Sequence, residues 1–199
     1  MSVGGINTDG QDDSPTVHET RNESGSLISS ITLKNGVPHG ETLLYNDQGQ
    51  LTHRLLYENG VLSGPAEFFL SGKPLMNTNF KNGLQEGEAT FFSNGIKAGI
   101  AHFQGGLFDG AFTSVDASGN VTRIAQYSVG QQNGECTIYY PDGTIMEQSC
   151  YKNNVLDGDI VRYFPNGNIM EAASFENGNP YGFIDKYDMD GNLTSREEV

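Results

Sequence analysis

Four histidines, two cysteines and a recurring carboxylate are the residues whose types could do chemistry. His18, His39, His53 and His102 fall at unrelated points of the chain, and none is spaced with Cys or carboxylates as a metal-ligand set would be. They read as solvated surface imidazoles, so neither a metal nor a cofactor is expected. The sequence holds no Gly-x-Ser-x-Gly elbow, no phosphate-cradling Gly-x-x-x-x-Gly-Lys-Ser/Thr and no His-Glu-x-x-His. Glu41, Glu88, Glu135 and Asp159 each follow a glycine in one shared register. A carboxylate repeated at one position argues for solvated strand ends rather than a singular acid/base pair. No catalytic residue is assigned, and the expectation is a protein that is not an enzyme.

Cys136 and Cys150 flank Asp142-Gly143, and their mean position is Gly143. Folding a hairpin about that turn places them opposite each other or one diagonal step apart, where a disulfide is feasible in a non-hydrogen-bonded pair. The alternative is two small apolar residues in a reducing cytosol. A bridge implies an oxidising compartment. Because MSVGGINTDGQDDSP has neither a basic n-region nor an apolar h-region, that outcome further implies a leader already removed.

The elements that must carry these residues are legible from the glycines. One series, Gly40, Gly64, Gly87, Gly110, Gly134, Gly158 and Gly182, recurs at spacings of 24, 23, 23, 24, 24 and 24. Four residues earlier lie Gly36, Gly60, Gly83, Gly106, Gly130, Asn154 and Gly178, where Asn is the residue that best tolerates a left-handed backbone after Gly. A third series runs through Gly49, Gly72, Gly95, Gly119, Gly143, Gly167 and Gly191. An aromatic follows the first series by five residues, at Tyr45, Phe69, Phe92, Tyr139, Tyr163 and Tyr187, with Val115 the departure that marks the fourth copy as degenerate. Leu33, Tyr57, Phe80, Phe103, Tyr127, Tyr151 and Phe175 form a second large apolar series.

Runs such as Glu135–Tyr140 and Thr144–Tyr151 are rich in β-formers and too short for helices, while Pro141-Asp142-Gly143 and Pro165-Asn166-Gly167 are turns. The expected fold is therefore all-β, an elongated single-domain meander of about seven tandem β-hairpin repeats over residues 33–199. It should grow by roughly 9–10 Å per two-stranded unit. Residues 21–32 read as a half-repeat cap, and residues 1–20, rich in Asp, Ser and Gly, as a disordered acidic segment.

Charge bounds the partners. The chain carries 11 Lys+Arg against 25 Asp+Glu, a net charge of −14 over 199 residues, and lacks any apolar run of membrane-spanning length. Such a surface repels nucleic-acid phosphates and anionic lipid, so neither nucleic-acid binding nor membrane insertion is expected. The residue four after each glycine of the first series reads Leu44, Phe68, Phe91, Ser114, Ile138, Arg162 and Lys186. By strand alternation it points away from the Tyr45 series. Leu44, Phe68 and Phe91 thus form a candidate partner-binding patch on a face that is elsewhere polar. The alternative is that the N-terminal segment folds over them.

The pattern Asn-Gly-x-x-x-Gly-x-x-x-x-Tyr-x-x-x-Gly, clearest at Tyr57–Gly64 and Asn177–Gly182, resembles the MORN-variant repeat found in bacterial proteins of the YwqK-type antitoxin and toxin-immunity class. The resemblance covers about five sixths of the chain. It departs in having Phe or Tyr where such repeats often carry Trp. It implies a β-hairpin scaffold that binds another protein, foremost an immunity protein that neutralises a cognate secreted toxin, including type VI secretion phospholipase effectors, by steric occlusion. A general scaffold or envelope-associated adaptor is the alternative. It also implies a bacterial host, with the periplasm expected if the cysteines are bridged and the cytoplasm otherwise.

Overall fold

The structure, a computed structural model, describes residues 13–199, and every regular element in that range is a strand. The first hairpins are β1 (Thr16–Arg21), β2 (Leu27–Lys34), β3 (Val37–Tyr45), β4 (Leu51–Glu58), β5 (Val61–Leu70) and β6 (Lys73–Lys81). The middle of the chain supplies β7 (Leu84–Gln85), β8 (Gly87–Ser93), β9 (Ile96–Gln104), β10 (Leu107–Phe108), β11 (Gly110–Val115) and β12 (Val121–Ser128). The last six are β13 (Gln131–Tyr139), β14 (Ile145–Lys152), β15 (Val155–Tyr163), β16 (Ile169–Glu176), β17 (Asn179–Tyr187) and β18 (Leu193–Glu198). Successive strands pair antiparallel, except β7 with β8 and β10 with β11, so the expected hairpin meander is one open sheet. β7 with β8, and β10 with β11, are halves of single strands interrupted at Glu86 and Asp109.

The Asn-Gly turns close one edge of the sheet. Asn59 and Gly60 stand at φ 49° and 82°, and Asn177 and Gly178 at 50° and 81°. Two consecutive positive φ values define the hairpin turn whose twist matches the flanking strands. Successive turns are also stitched together. The Gly60 amide donates to the Pro38 carbonyl at 2.7 Å, Gly83 to Leu62 at 2.8 Å and Gly178 to Leu156 at 2.9 Å. A side chain just ahead of the first glycine series adds to this. Glu86 accepts from the Gly105 amide at 2.9 Å, Asp109 from Val129 at 3.2 Å and Asp157 from Asn177 at 3.0 Å. His39, read from sequence as a solvated imidazole, plays the same part through Nδ1 for the Asn59 amide at 3.3 Å.

Val129 breaks the Asn-Gly rule while keeping its geometry, with φ at 49° and 68% of its surface exposed. A β-branched side chain in the left-handed region is strained, by roughly 1–2 kcal/mol. Val129→Asn is therefore expected to raise stability by about 1 kcal/mol in urea unfolding, because Asn relieves the strain and keeps the amide that Asp109 accepts from. No gain, or a loss, would show that the turn is held by something other than its backbone conformation.

Alternation divides the sheet into a packed face and a solvated one. The packed face carries a central row of small residues joined by direct cross-strand pairing, in which Ala66, Ala89, Ala101, Ala125, Cys136 and Ser149 are all buried. Beside it runs the Tyr57, Phe80, Phe103, Tyr127, Tyr151 and Phe175 series. A single layer can bury its central residues because larger side chains of the same face close over them. Small residues predominate there, with Leu55 and Ile160 the larger buried members of the same row.

Two boundaries shift. Residues 1–12 of the segment read as disordered lie outside the described residues. Thr16–Thr20, within that same segment, instead belong to β1, paired from Thr16 with Leu33 to Thr20 with Ser29. Side-chain burial does not drive this pairing, since Val17 stays 63% exposed. The backbone groups of β2 find partners that the sequence composition could not reveal. The half-repeat at 21–32 is consequently the second part of a further hairpin, β1–β2.

Candidate functional site

A continuous cross-strand row crosses the packed face. Leu44 pairs with His53, His53 with Phe68, Phe68 with Met76, Met76 with Phe91, and Phe91 with Gly99. The row continues through Ser114, Arg123, Ile138, Glu147, Arg162, Glu171 and Lys186. It begins apolar and ends ionic. In the ionic half Arg162 bridges Glu147 at 2.9 Å and Glu171 at 2.8 Å, and the Arg123 Nε donates to Cys136 Sγ at 3.3 Å. The two carboxylates hold the Arg162 guanidinium charged, with the Glu147 hydrogen bond the largest influence.

Leu44, Phe68 and Phe91 are thus brought into one row, as the sequence pattern expects, but their surroundings differ. They point to the face that holds the buried alanines rather than to a wet one, and all three are half-buried. The His53 ring stands edge-on to Phe68 with centroids 5.2 Å apart, and Phe91 lies 6.0 Å from Phe112. The N-terminal hairpin does not cover them, since β1 extends the sheet edge instead. The Tyr45 series stands on the solvated face, because Tyr45 follows Leu44 on an alternating strand.

The expected disulfide is absent. Cys136 and Cys150 are both free, and the register pairs Cys136 with Ser149 and Glu135 with Cys150. A mean position on the turn overlooked the turn's own length. The true pairs fall one residue off the symmetric fold, and a one-residue offset sends the second side chain to the opposite face. Cys136 therefore lies in the buried central row and Cys150 on the solvated face. Burial, followed by the Glu135 and Asp159 carboxylates, pushes the Cys150 thiol up from its ordinary value. Both thiols should then take an alkylating label after denaturation without reductant, and intact mass should not change on reduction. A mass two protons lower that takes no label would overturn the register.

The carboxylates of the repeated register are exposed, and Glu135 and Asp159 stand on either side of Cys150. Glu41 lies 3.4 Å from Arg54, and Asp159 accepts from the Ser174 hydroxyl at 2.7 Å. Among the described residues no three His, Cys, Asp or Glu side chains gather as a metal site. At the turns opposite the Asn-Gly edge, Asp116 accepts the amides of Ser118 at 2.8 Å and Asn120 at 2.9 Å, and the Asn120 amide is the main influence holding its carboxyl below the usual range. Asp188 repeats this arrangement with Asn192. Sequence reasoning missed this capping, although an Asp four residues ahead of Asn in a turn was a usable signal.

The site is therefore an extended ladder of side chains on a repeating sheet, the arrangement of a repeat-based binding module. No curated protein sequence matches the chain significantly. Residues 132–153 and 156–177, the fifth and sixth hairpins of the glycine series, each match the model of the MORN repeat variant.

Proposed function

We propose that this protein is a non-catalytic binding module, that its partner is another protein, and that the partner is a secreted bacterial toxin whose active-site mouth it covers. The observation that carries the reading is the uninterrupted row from Leu44 to Lys186, apolar at one end and ionic at the other, on a chain of net charge −14. A surface of that length suits a protein partner better than a small molecule. Its charge favours a basic one, whose approach it would accelerate. The toxin assignment draws on the resemblance to immunity proteins.

The test pairs the purified chain with the product of a neighbouring toxin-like gene, measuring complex formation and toxin activity together. Binding with loss of activity is expected, with an association rate that falls by about tenfold or more between low and high salt. Binding that leaves activity intact would favour a scaffold or adaptor, and no binding would remove the toxin assignment. An association rate indifferent to salt would remove the charge argument.

A further inference from the structure

The solvated face carries its own ladder near the turns that end in the third glycine series. Tyr45 pairs with Leu51, Phe69 with Pro74, Phe92 with Lys97, Tyr139 with Ile145, Tyr163 with Ile169 and Tyr187 with Leu193. In the fourth copy the pair is Val115 with Val121. A ring is missing at one rung of seven, and the structure is hollow there on both sides. One hollow of about 340 Å³ lies between Ile96, Lys97, Ala98 and Val115, with Asp116 at its rim. The other, about 370 Å³, lies between Val121, Ile124, Tyr139 and Pro141, with Asp142 at its rim.

We infer that this gap is a socket for an aromatic side chain of a basic protein partner, the ring entering beside Val115 and Val121 and a neighbouring Lys or Arg reaching Asp116 and Asp142. The repeat itself argues for the ring, because six other rungs fill the same place with Tyr or Phe from the chain. Charge argues for the basic neighbour. Hydrogen bonds hold both rim carboxylates ionised, from the Asn120 amide at Asp116 and the Thr144 hydroxyl at Asp142. Lys97, the one cation lining either hollow, belongs to the first. A second copy of the chain would bring another −14 charge to the contact and is the poorer occupant. The inference rests on the protein-binding reading above and names the partner's chemistry at one place.

The experiment uses the full chain with isotope-labelled Val and Ile methyl groups, titrated with the capped tripeptides Lys-Trp-Lys, Lys-Ala-Lys and Glu-Trp-Glu. Saturable shifts at Val115, Val121 and Ile96 are expected with Lys-Trp-Lys, with affinity at least about tenfold lower for the other two. Val115→Tyr should restore the ladder, raise the melting midpoint and abolish the shifts. Should that variant fail to fold, Asp142→Asn should still weaken Lys-Trp-Lys selectively. No saturable shift at millimolar peptide would overturn the socket, as would shifts insensitive to Val115→Tyr or equal binding of Lys-Ala-Lys. Once a partner is in hand, full binding by Val115→Tyr would remove the socket and leave the binding module standing. Absence of any protein partner would remove the module, whatever the peptides show.

Discussion

Gly158→Val is expected to cost about 2–5 kcal/mol, enough to unfold a protein of ordinary marginal stability or to remove much of its urea midpoint. Gly158 stands at φ 119°, beyond the left-handed well that Asn can share, and a Cβ built there would meet the Cβ of Cys150 at 2.9 Å. Forcing a β-branched residue into that conformation costs about 1–3 kcal/mol, and overpacking against Cys150 adds a similar amount. Gly182 belongs to the same sequence series yet sits at φ 75° with nothing within 4 Å of its added Cβ. Gly182→Asn should therefore lose less than about 1 kcal/mol. Circular dichroism in urea on both full-length variants is the measurement. Equal losses would mean that the series is set by something other than backbone conformation and close approach.

That contrast also shows how far the sequence could be read. The fold was legible because a hairpin repeat imposes its turn chemistry seven times, and a pattern of Asn-Gly and spaced glycines has few other physical causes. Asn154, at φ 68°, takes the place of a glycine in a series whose left-handed conformation Asn can adopt. What sequence could not supply was register across a turn. Symmetry about Gly143 sets Cys136 opposite Cys150, whereas the register pairs Cys136 with Ser149 and so turns Cys150 to the other face. The same limit hid that the face of Leu44, Phe68 and Phe91 is the packed one. Alternation alone separates two faces without saying which is packed, and that depended on small residues such as Ala89 and Ala101, both 0% exposed, whose size carries little sequence signal. The pairing of β1 was invisible because it rests on backbone groups rather than side chains.

A single-layer sheet has no opposing layer to bury its rings, so its stability must come from side chains of one face closing on each other. The densest such closure lies at the third and fourth copies, where Phe108 stands 4.6 Å from Phe103, 5.5 Å from Tyr127 and 5.8 Å from Phe112. Aromatic pairs at these separations contribute beyond the area they bury. Phe108→Ala should cost about 2–4 kcal/mol, below the full loss seen in closed cores because Phe108 is only half-buried. Leu70→Ala, at a residue 65% exposed, should stay within about 0.5 kcal/mol. Repeat arrays couple mainly between neighbours, so the loss should be local. Amide exchange should quicken in β9, β11 and β12 first and leave β15 and β16 near their original protection. Uniform acceleration along the chain would show that the sheet unfolds as one cooperative block, and an unchanged exchange pattern would show that the ring cluster does not hold the middle of the sheet together.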